Sequence, residues 1–116
     1  MKYHRAISDK LNSNISKIPV FENITIDIGT IKNGQPQEIR FKYTNHSINP
    51  LIITDVKTSC GCTMPQWDKN PLDINKSSEL TIRFTPDSPG RNSKTIMVFH
   101  NQSKEPVKLF FKANVE

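Results

Sequence analysis

The chain has 116 residues, enough for one hydrophobic core and too few for two. Hydrophobic residues make up 34% of it, which suits strands that bury one face better than a fully buried parallel sheet. The formal net charge is +5, but the lysines and arginines are scattered, without a basic run or an interleaved aromatic stripe. This distribution indicates a solvated surface and argues against binding of nucleic acid.

Residues 1–18 are polar and contain no apolar run like that of an intact signal peptide. We interpret them as a leader or linker that would follow a cleavage or lipid-anchoring site further upstream. No stretch of the chain approaches the ~20 apolar residues that a transmembrane helix requires. The predicted folded domain therefore spans residues 19–116.

From residue 19 onward the hydrophobic pattern has a period of two, which is typical of β-strands. Polar segments rich in turn-forming residues separate the alternating runs. Between the first two runs, Asn33-Gly34 predicts a tight turn, because both residue types tolerate a positive φ. The runs in chain order are VFENITIDIG, QEIRFKYTN, LIITDV, ELTIRFTP, SKTIMVFHN and VKLFFKANV.

Short strands at this spacing predict an all-β fold, an antiparallel immunoglobulin-like β-sandwich of about seven strands. Cys60 and Cys62 lie two residues apart, so they cannot form the inter-sheet disulfide of antibody domains. Packing must therefore hold the two sheets together. The predicted core consists of Phe21, Ile39, Phe41, Tyr43, Leu51, Ile53, Leu80, Ile82, Phe84, Ile96, Val98, Leu109 and Phe111.

Three motifs follow one another along the folded part of the chain. They are DIGTIKNGQ, IRFKYTNHSINPLIITDVKTSCGCTMPQW and RFTPDSPGRNSKTIMVFHN. Their order resembles the bacterial family known as domain of unknown function 1573, over about residues 19–116. The most specific piece of the resemblance is PLIITDVKTSCGCTMP, which is too long to be explained by chance.

The resemblance implies an immunoglobulin-like module that is exported or lipid-anchored, often from Bacteroidetes, and so located in the periplasm or cell envelope. It implies no activity, since the family is defined without one. Two features depart from the family pattern. The turn LDINKSSEL lacks the usual Pro-Gly pair, and His100 stands where the family more often has a hydroxyl-bearing or apolar residue.

Three interpretations of the cysteine pair are open. The first is a disulfide. An extended i to i+2 pair is about 6.6 Å apart at its Cα atoms, so the segment would have to turn, which Gly61 permits. A ring this small gains little from loop closure and should be easily reduced, as suits a redox-active bond.

The second interpretation is a soft-metal site, because thiolates suit Cu(I) and Zn(II). Two ligands are too few for a closed site, and Met64, Met97 or His100 would have to complete it. The third is a structural turn in which two free cysteines serve as small apolar filler.

We predict a non-enzymatic module without catalytic residues, cofactor or metal, which binds an unknown protein or envelope partner. Binding would use loops at one end or pairing at an exposed edge strand. Thr63, Met64 and Trp67 form a candidate interaction loop, since an aromatic residue near a loop tip can anchor a partner; core packing of Trp67 is the alternative. The second candidate function is a periplasmic thiol–disulfide or copper-handling protein that uses Cys60 and Cys62.

Overall fold

The computed structural model describes residues 19–116, which fold into two four-stranded sheets. The strands are β1 (Val20–Phe21), β2 (Thr25–Ile31), β3 (Gln37–Thr44), β4 (Ile53–Thr58), β5 (Thr63–Gln66), β6 (Ser77–Phe84), β7 (Gly90–His100) and β8 (Val107–Val115). One sheet has the order β1-β3-β6-β5, and the other has the order β2-β8-β7-β4. The predicted immunoglobulin-like sandwich is confirmed, whereas the predicted leader, residues 1–18, lies outside the described residues.

The described residues form eight strands instead of about seven, because the sequence pattern did not indicate the short strands β1 and β5. The run VFENITIDIG is not one strand: β1 pairs with β3, and the chain then crosses to the other sheet. There β2 pairs with β8 in parallel, which departs from the antiparallel pairing predicted throughout. β5 has only four residues, TMPQ, and they do not alternate between apolar and polar types in the way the other strands do.

The predicted core is confirmed, since every one of its side chains is at most 9% exposed. The rings of Phe84 and Phe111 meet edge to face between the sheets, with their centroids 5.0 Å apart. Such aromatic contacts add to the burial that holds the layers together. The other buried apolar residues are Ile31, Val56, Ala113 and Val115.

The loops gather at the two ends of the sandwich. At one end, the buried Asn45 joins two loops: its Nδ2 donates to the carbonyl oxygens of Asn49 at 2.9 Å and Leu72 at 2.8 Å. At the other end, the predicted Asn33-Gly34 turn joins β2 to β3, with Gly34 at a φ of 81°. The loop that carries the cysteines lies at this second end. Within residues 19–116, there is no helix with the length and apolar character that crossing a bilayer requires.

Candidate functional site

The cysteine loop, residues 59–62, connects β4 to β5. Cys60 and Cys62 are joined by a disulfide, and their Cα atoms lie 5.2 Å apart. The segment is therefore turned rather than extended, as the first of the three interpretations requires. Both cysteines are half-buried, and Cys62 packs against the hydrophobic core.

Hydrogen bonds hold the cysteine loop from both sides. The carbonyl oxygen of Cys60 accepts from the hydroxyl groups of Thr58 at 3.1 Å and Thr63 at 2.7 Å. The carbonyl oxygen of Cys62 accepts from the backbone N–H of Thr85 at 3.0 Å, just after β6. The polar residues around the CGC motif thus give the loop its shape through ordinary turn chemistry.

Of the three further ligands named for the metal interpretation, Met97 lies beside Ser59 at the cysteine loop, whereas His100 lies far from it. The backbone N–H of Ser59 donates to the carbonyl oxygen of Thr95, so the cysteine loop lies level with Thr95 on β7. His100 lies five residues further along this strand, at about 3.3 Å per residue, or roughly 16 Å away. Within residues 19–116, there is no group of three or more His, Cys, Asp or Glu side chains that could hold a metal ion.

His100 is instead part of the interior. Its side chain is 6% exposed, and its Nδ1 accepts a hydrogen bond from the backbone N–H of Gln102 at 3.1 Å. Its Nε2 is buried without a hydrogen-bonding partner within residues 19–116. Burial lowers the pKa of His100 below its ordinary value, because it disfavours the charged ring.

The three residues of the candidate interaction loop do not share one surface. Thr63 is only 6% exposed, whereas Met64 is 63% exposed. Trp67 is half-buried against the core, and its Nε1 donates to the carbonyl oxygen of Ile53 at 3.1 Å. Of the three, only Met64 presents most of its side chain to solvent.

A second feature, which the sequence pattern did not indicate, is the outer edge of β3. β1 pairs only with the end of β3, through Val20 with Thr44 and Phe21 with Tyr43. One further bond runs from the N–H of Glu22 to the carbonyl oxygen of Lys42, at 2.9 Å. The chain then crosses to the other sheet, so no described strand pairs with this side of residues 37–41.

Strand geometry identifies the free backbone groups. In an antiparallel ladder, successive residues direct their N–H and C=O groups to alternate sides. The carbonyl oxygen of Lys42 points toward β1, so those of Glu38 and Arg40 point the same way. Within residues 19–116, nothing pairs with the backbone N–H and C=O groups of Glu38 and Arg40.

β2, an edge strand of the other sheet, carries an incompletely covered apolar row. Ile26 and Ile28 of β2 pack against the core but are only half-buried, and Ile24 is 56% exposed. An open cleft of about 430 Å³, lined in part by Ile28 and Gln37, lies between β2 and the start of β3. We call the free edge of Glu38 and Arg40, together with Ile24, Ile26 and Ile28, the β3 groove.

Charged side chains border the β3 groove on the outer face of the sheet. Arg40 and Glu38 form an exposed salt bridge at 3.3 Å, and Lys42 is also exposed. An exposed pair of this kind contributes little to stability. The side chains of Arg40 and Lys42 are thus exposed beside the free edge, with Glu38 next to Arg40.

Comparison with solved structures shows an immunoglobulin-like fold of the PapD and MSP type. PapD-like domain 7 of human CEP192 superimposes with a TM-score of 0.69 at 12% identity, covering 84% of each chain. WR4, an MSP family member of C. elegans, gives a TM-score of 0.53 at 14% identity, covering 84% of this chain and 96% of that one. Identities this low show that the fold is shared and carry no information about function.

The chain belongs to the family described as protein of unknown function (DUF1573), whose model matches residues 19–115. The resemblance seen in the sequence is thereby confirmed. A protein of unknown function from Porphyromonas gingivalis W83 has a TM-score of 0.70 at 18% identity, covering 82% of this chain and 46% of its own. The chain thus spans less than half the length of that protein. A comparison with proteins of curated function found no match.

Proposed function

We propose that this chain is an extracytoplasmic interaction module whose β3 groove binds, without catalysis, an extended segment of a partner protein. The observation that carries the proposal is the coincidence of free backbone groups at Glu38 and Arg40 with a half-covered isoleucine row. A strand added beside β3 would satisfy the backbone groups and cover the isoleucines at once. Strand addition to a free sheet edge is a common mode of peptide recognition.

The chemistry of the groove specifies the partner segment. Alternate side chains of an added strand point to opposite faces of the sheet. Those that point inward would contact Ile26 and Ile28 and should be apolar. Those that point outward would lie beside Arg40 and Lys42 and should be acidic. The net charge of +5 favours the encounter with such a segment.

The disulfide supports a location outside the cytoplasm. Cellular thiol systems keep most cytosolic cysteines reduced, whereas disulfides persist in the periplasm and outside the cell. The resemblance to exported or lipid-anchored proteins points to the same compartment. We therefore propose the periplasm or cell envelope, with the partner an envelope protein.

A peptide titration followed by NMR tests the proposal. The probe alternates valine with glutamate over about seven residues, long enough at ~3.3 Å per residue to run past the free edge. Binding should shift the amide signals of Glu38 and Arg40 and the methyl signals of Ile26 and Ile28. A peptide with lysine in place of glutamate should bind more weakly, and one N-methylated at alternate amides should not bind.

Two variants separate the backbone from the side chain. Arg40→Pro removes an N–H that has no partner in the free domain, and proline is tolerated at such edge positions. Arg40→Ala keeps this N–H and removes only the charge. We expect Arg40→Pro to weaken binding about tenfold more than Arg40→Ala, because a backbone hydrogen bond is lost. Equal binding by both variants, or shifts confined to the loops, would contradict the proposal.

A further inference from the structure

The disulfide of Cys60 and Cys62 has no part in the β3 groove, and it does not hold the sandwich together. It spans a single residue within one loop, so it joins neither the two sheets nor distant parts of the chain. A cross-link over so short a loop restricts the unfolded chain very little. The fold therefore gains little from this bond.

The cysteine loop has other contacts that would survive reduction. Ser59 and Thr95 exchange two hydrogen bonds of 3.1 Å: the N–H of Ser59 donates to the Thr95 carbonyl, and the N–H of Thr95 donates to the Ser59 hydroxyl. The bond from the N–H of Thr85 to the carbonyl oxygen of Cys62 ties the other end of the loop to β6. None of these contacts involves a sulfur atom, so the loop is held in the same place whether or not the cysteines are bridged.

The tip of the cysteine loop is exposed, although both cysteines are half-buried. Gly61 is exposed, and a Cβ atom built on it would meet nothing within 4 Å. Cys62 packs against the core, whereas Cys60 is half-buried without belonging to that cluster. We therefore expect a partner thiolate to attack the Sγ of Cys60.

We propose that the Cys60–Cys62 bond is a reversible redox site that accepts two electrons from the dithiol of a partner protein. Disulfides that contribute little to stability and lie in exposed loops are typically the easily reduced ones. The backbone N–H of Cys62 lies 3.1 Å from the Sγ of Cys60, where it would stabilise a thiolate on Cys60.

The exchange takes place in two displacement steps. A partner thiolate attacks the Sγ of Cys60, the bond between Cys60 and Cys62 breaks, and Cys62 leaves as a thiolate that takes a proton from water. The second partner thiolate then attacks the partner sulfur of the mixed disulfide. This step releases Cys60 as a thiolate beside the N–H of Cys62 and leaves the partner with a disulfide. A small-molecule disulfide, such as oxidised glutathione, restores the bridge by the reverse steps.

The test measures the redox state of the full chain in glutathione buffers of graded ratio. After acid quenching and alkylation of free thiols, mass spectrometry gives the fraction that is bridged. We expect reduced and bridged forms to coexist where a secreted protein with structural disulfides, treated in parallel, stays oxidised. The circular dichroism spectrum should not change on reduction. A bridge that resists these buffers, or a fold that is lost on reduction, would overturn the proposal.

Single variants test the order of attack. Cys62→Ser leaves Cys60 free, which should form a mixed disulfide with oxidised glutathione about tenfold faster than the free Cys62 of Cys60→Ser. With oxidised glutathione present, the native chain should also speed the oxidation of a synthetic dithiol peptide, and the double variant Cys60→Ser/Cys62→Ser should not. Equal rates for the native chain and the double variant would refute the redox site. Peptide binding in the β3 groove is measured separately, so either proposal can fail alone.

Discussion

The indole Nε1 of Trp67 donates a hydrogen bond to the backbone oxygen of Ile53 at 3.1 Å, and this contact closes one side of the sandwich. Trp67 follows β5, and Ile53 begins β4, so the bond connects the edge strands of the two sheets. On the opposite side, β1 has only two residues, and no other described strand pairs with that edge of β3. The two sides of the sandwich therefore differ. A hydrogen bond links the sheets on the side of β4 and β5, whereas the edge of β3 is largely unpaired on the other side.

Trp67→Phe should lower the free energy of unfolding by about 1–2 kcal/mol, because an aromatic ring is kept while the carbonyl oxygen of Ile53 loses its donor. Urea denaturation monitored by circular dichroism measures this change. Met64→Leu is the matched control, since Met64 is 63% exposed, and it should change stability by less than about 0.5 kcal/mol. A smaller loss for Trp67→Phe than for Met64→Leu would show that the indole bond has no structural role.

Hydrogen exchange should show the free edge of β3 directly. The amides of Glu38 and Arg40 point away from β6 and should exchange rapidly, whereas those of Ile39 and Phe41 bond to β6 and should be protected. NMR-detected exchange in deuterated buffer resolves this alternation, because protection follows the opening of each hydrogen bond. Uniform protection along β3 would mean that another part of the full chain covers the edge.

Asn45→Ala should be among the most destabilising polar substitutions, at roughly 2–4 kcal/mol, because it deletes a fully buried amide whose removal leaves several backbone groups unpaired. Asn45→Asp is the sharper comparison. It keeps the oxygen that accepts from the N–H of Ser47 but turns a carboxylate toward the carbonyl oxygens of Asn49 and Leu72. This variant should be the less stable of the two at neutral pH and should recover part of the loss in acid. Thermal unfolding of both variants at two pH values distinguishes these outcomes.

Stability should fall as the pH decreases below about 6.5, the ordinary pKa of histidine. Burial lowers the pKa of His100 in the folded state, so the unfolded chain takes up a proton at a higher pH than the folded one. The loss should reach at most ~1.4 kcal/mol per pH unit and should end below the folded pKa. His100→Asn, which keeps an acceptor for the N–H of Gln102 and does not titrate, should flatten the dependence between about pH 7.5 and 5.5 in urea titrations. An unchanged slope in this variant would assign the effect to other groups.

The core could be predicted from the sequence because alternation of apolar and polar residues indicates which face of a strand is buried. The strands β3, β6 and β8 carry large apolar residues at every second position, and these residues line the interior. The run VFENITIDIG alternates only from Ile24 onward, and its two halves lie in different sheets. Alternation indicates which side chains of a strand are buried, but it does not indicate which other strand the strand pairs with. The crossing between β1 and β2, and with it the β3 groove, was therefore absent from the prediction.

The same distinction applies to the polar residues. Asn45 lies in a turn-like segment, NHSINP, and nothing in that segment indicates that its side chain is buried and joins two loops. Core packing was the favoured interpretation of Trp67 over a binding anchor, and the contact with Ile53 supports packing because the indole N–H is already used. The more distant hydrogen-bonding partners of Asn45 and Trp67 are brought to them by the fold and not by nearness in the sequence.

The sequence by itself determined that the chain is a β-sandwich, which residues fill its interior, and that Cys60 and Cys62 do not bridge the two sheets. These properties depend on local spacing. Side chains on one face of a strand recur every two residues, and a single residue separates the two cysteines. Only the tertiary structure decided that no described strand pairs with the outer edge of residues 37–41. It also decided that a disulfide joins the two cysteines in a loop fixed by hydrogen bonds, and that His100 is buried far from them. These properties depend on where the chain crosses between sheets and on the hydrogen bonds formed across them, which no local pattern encodes.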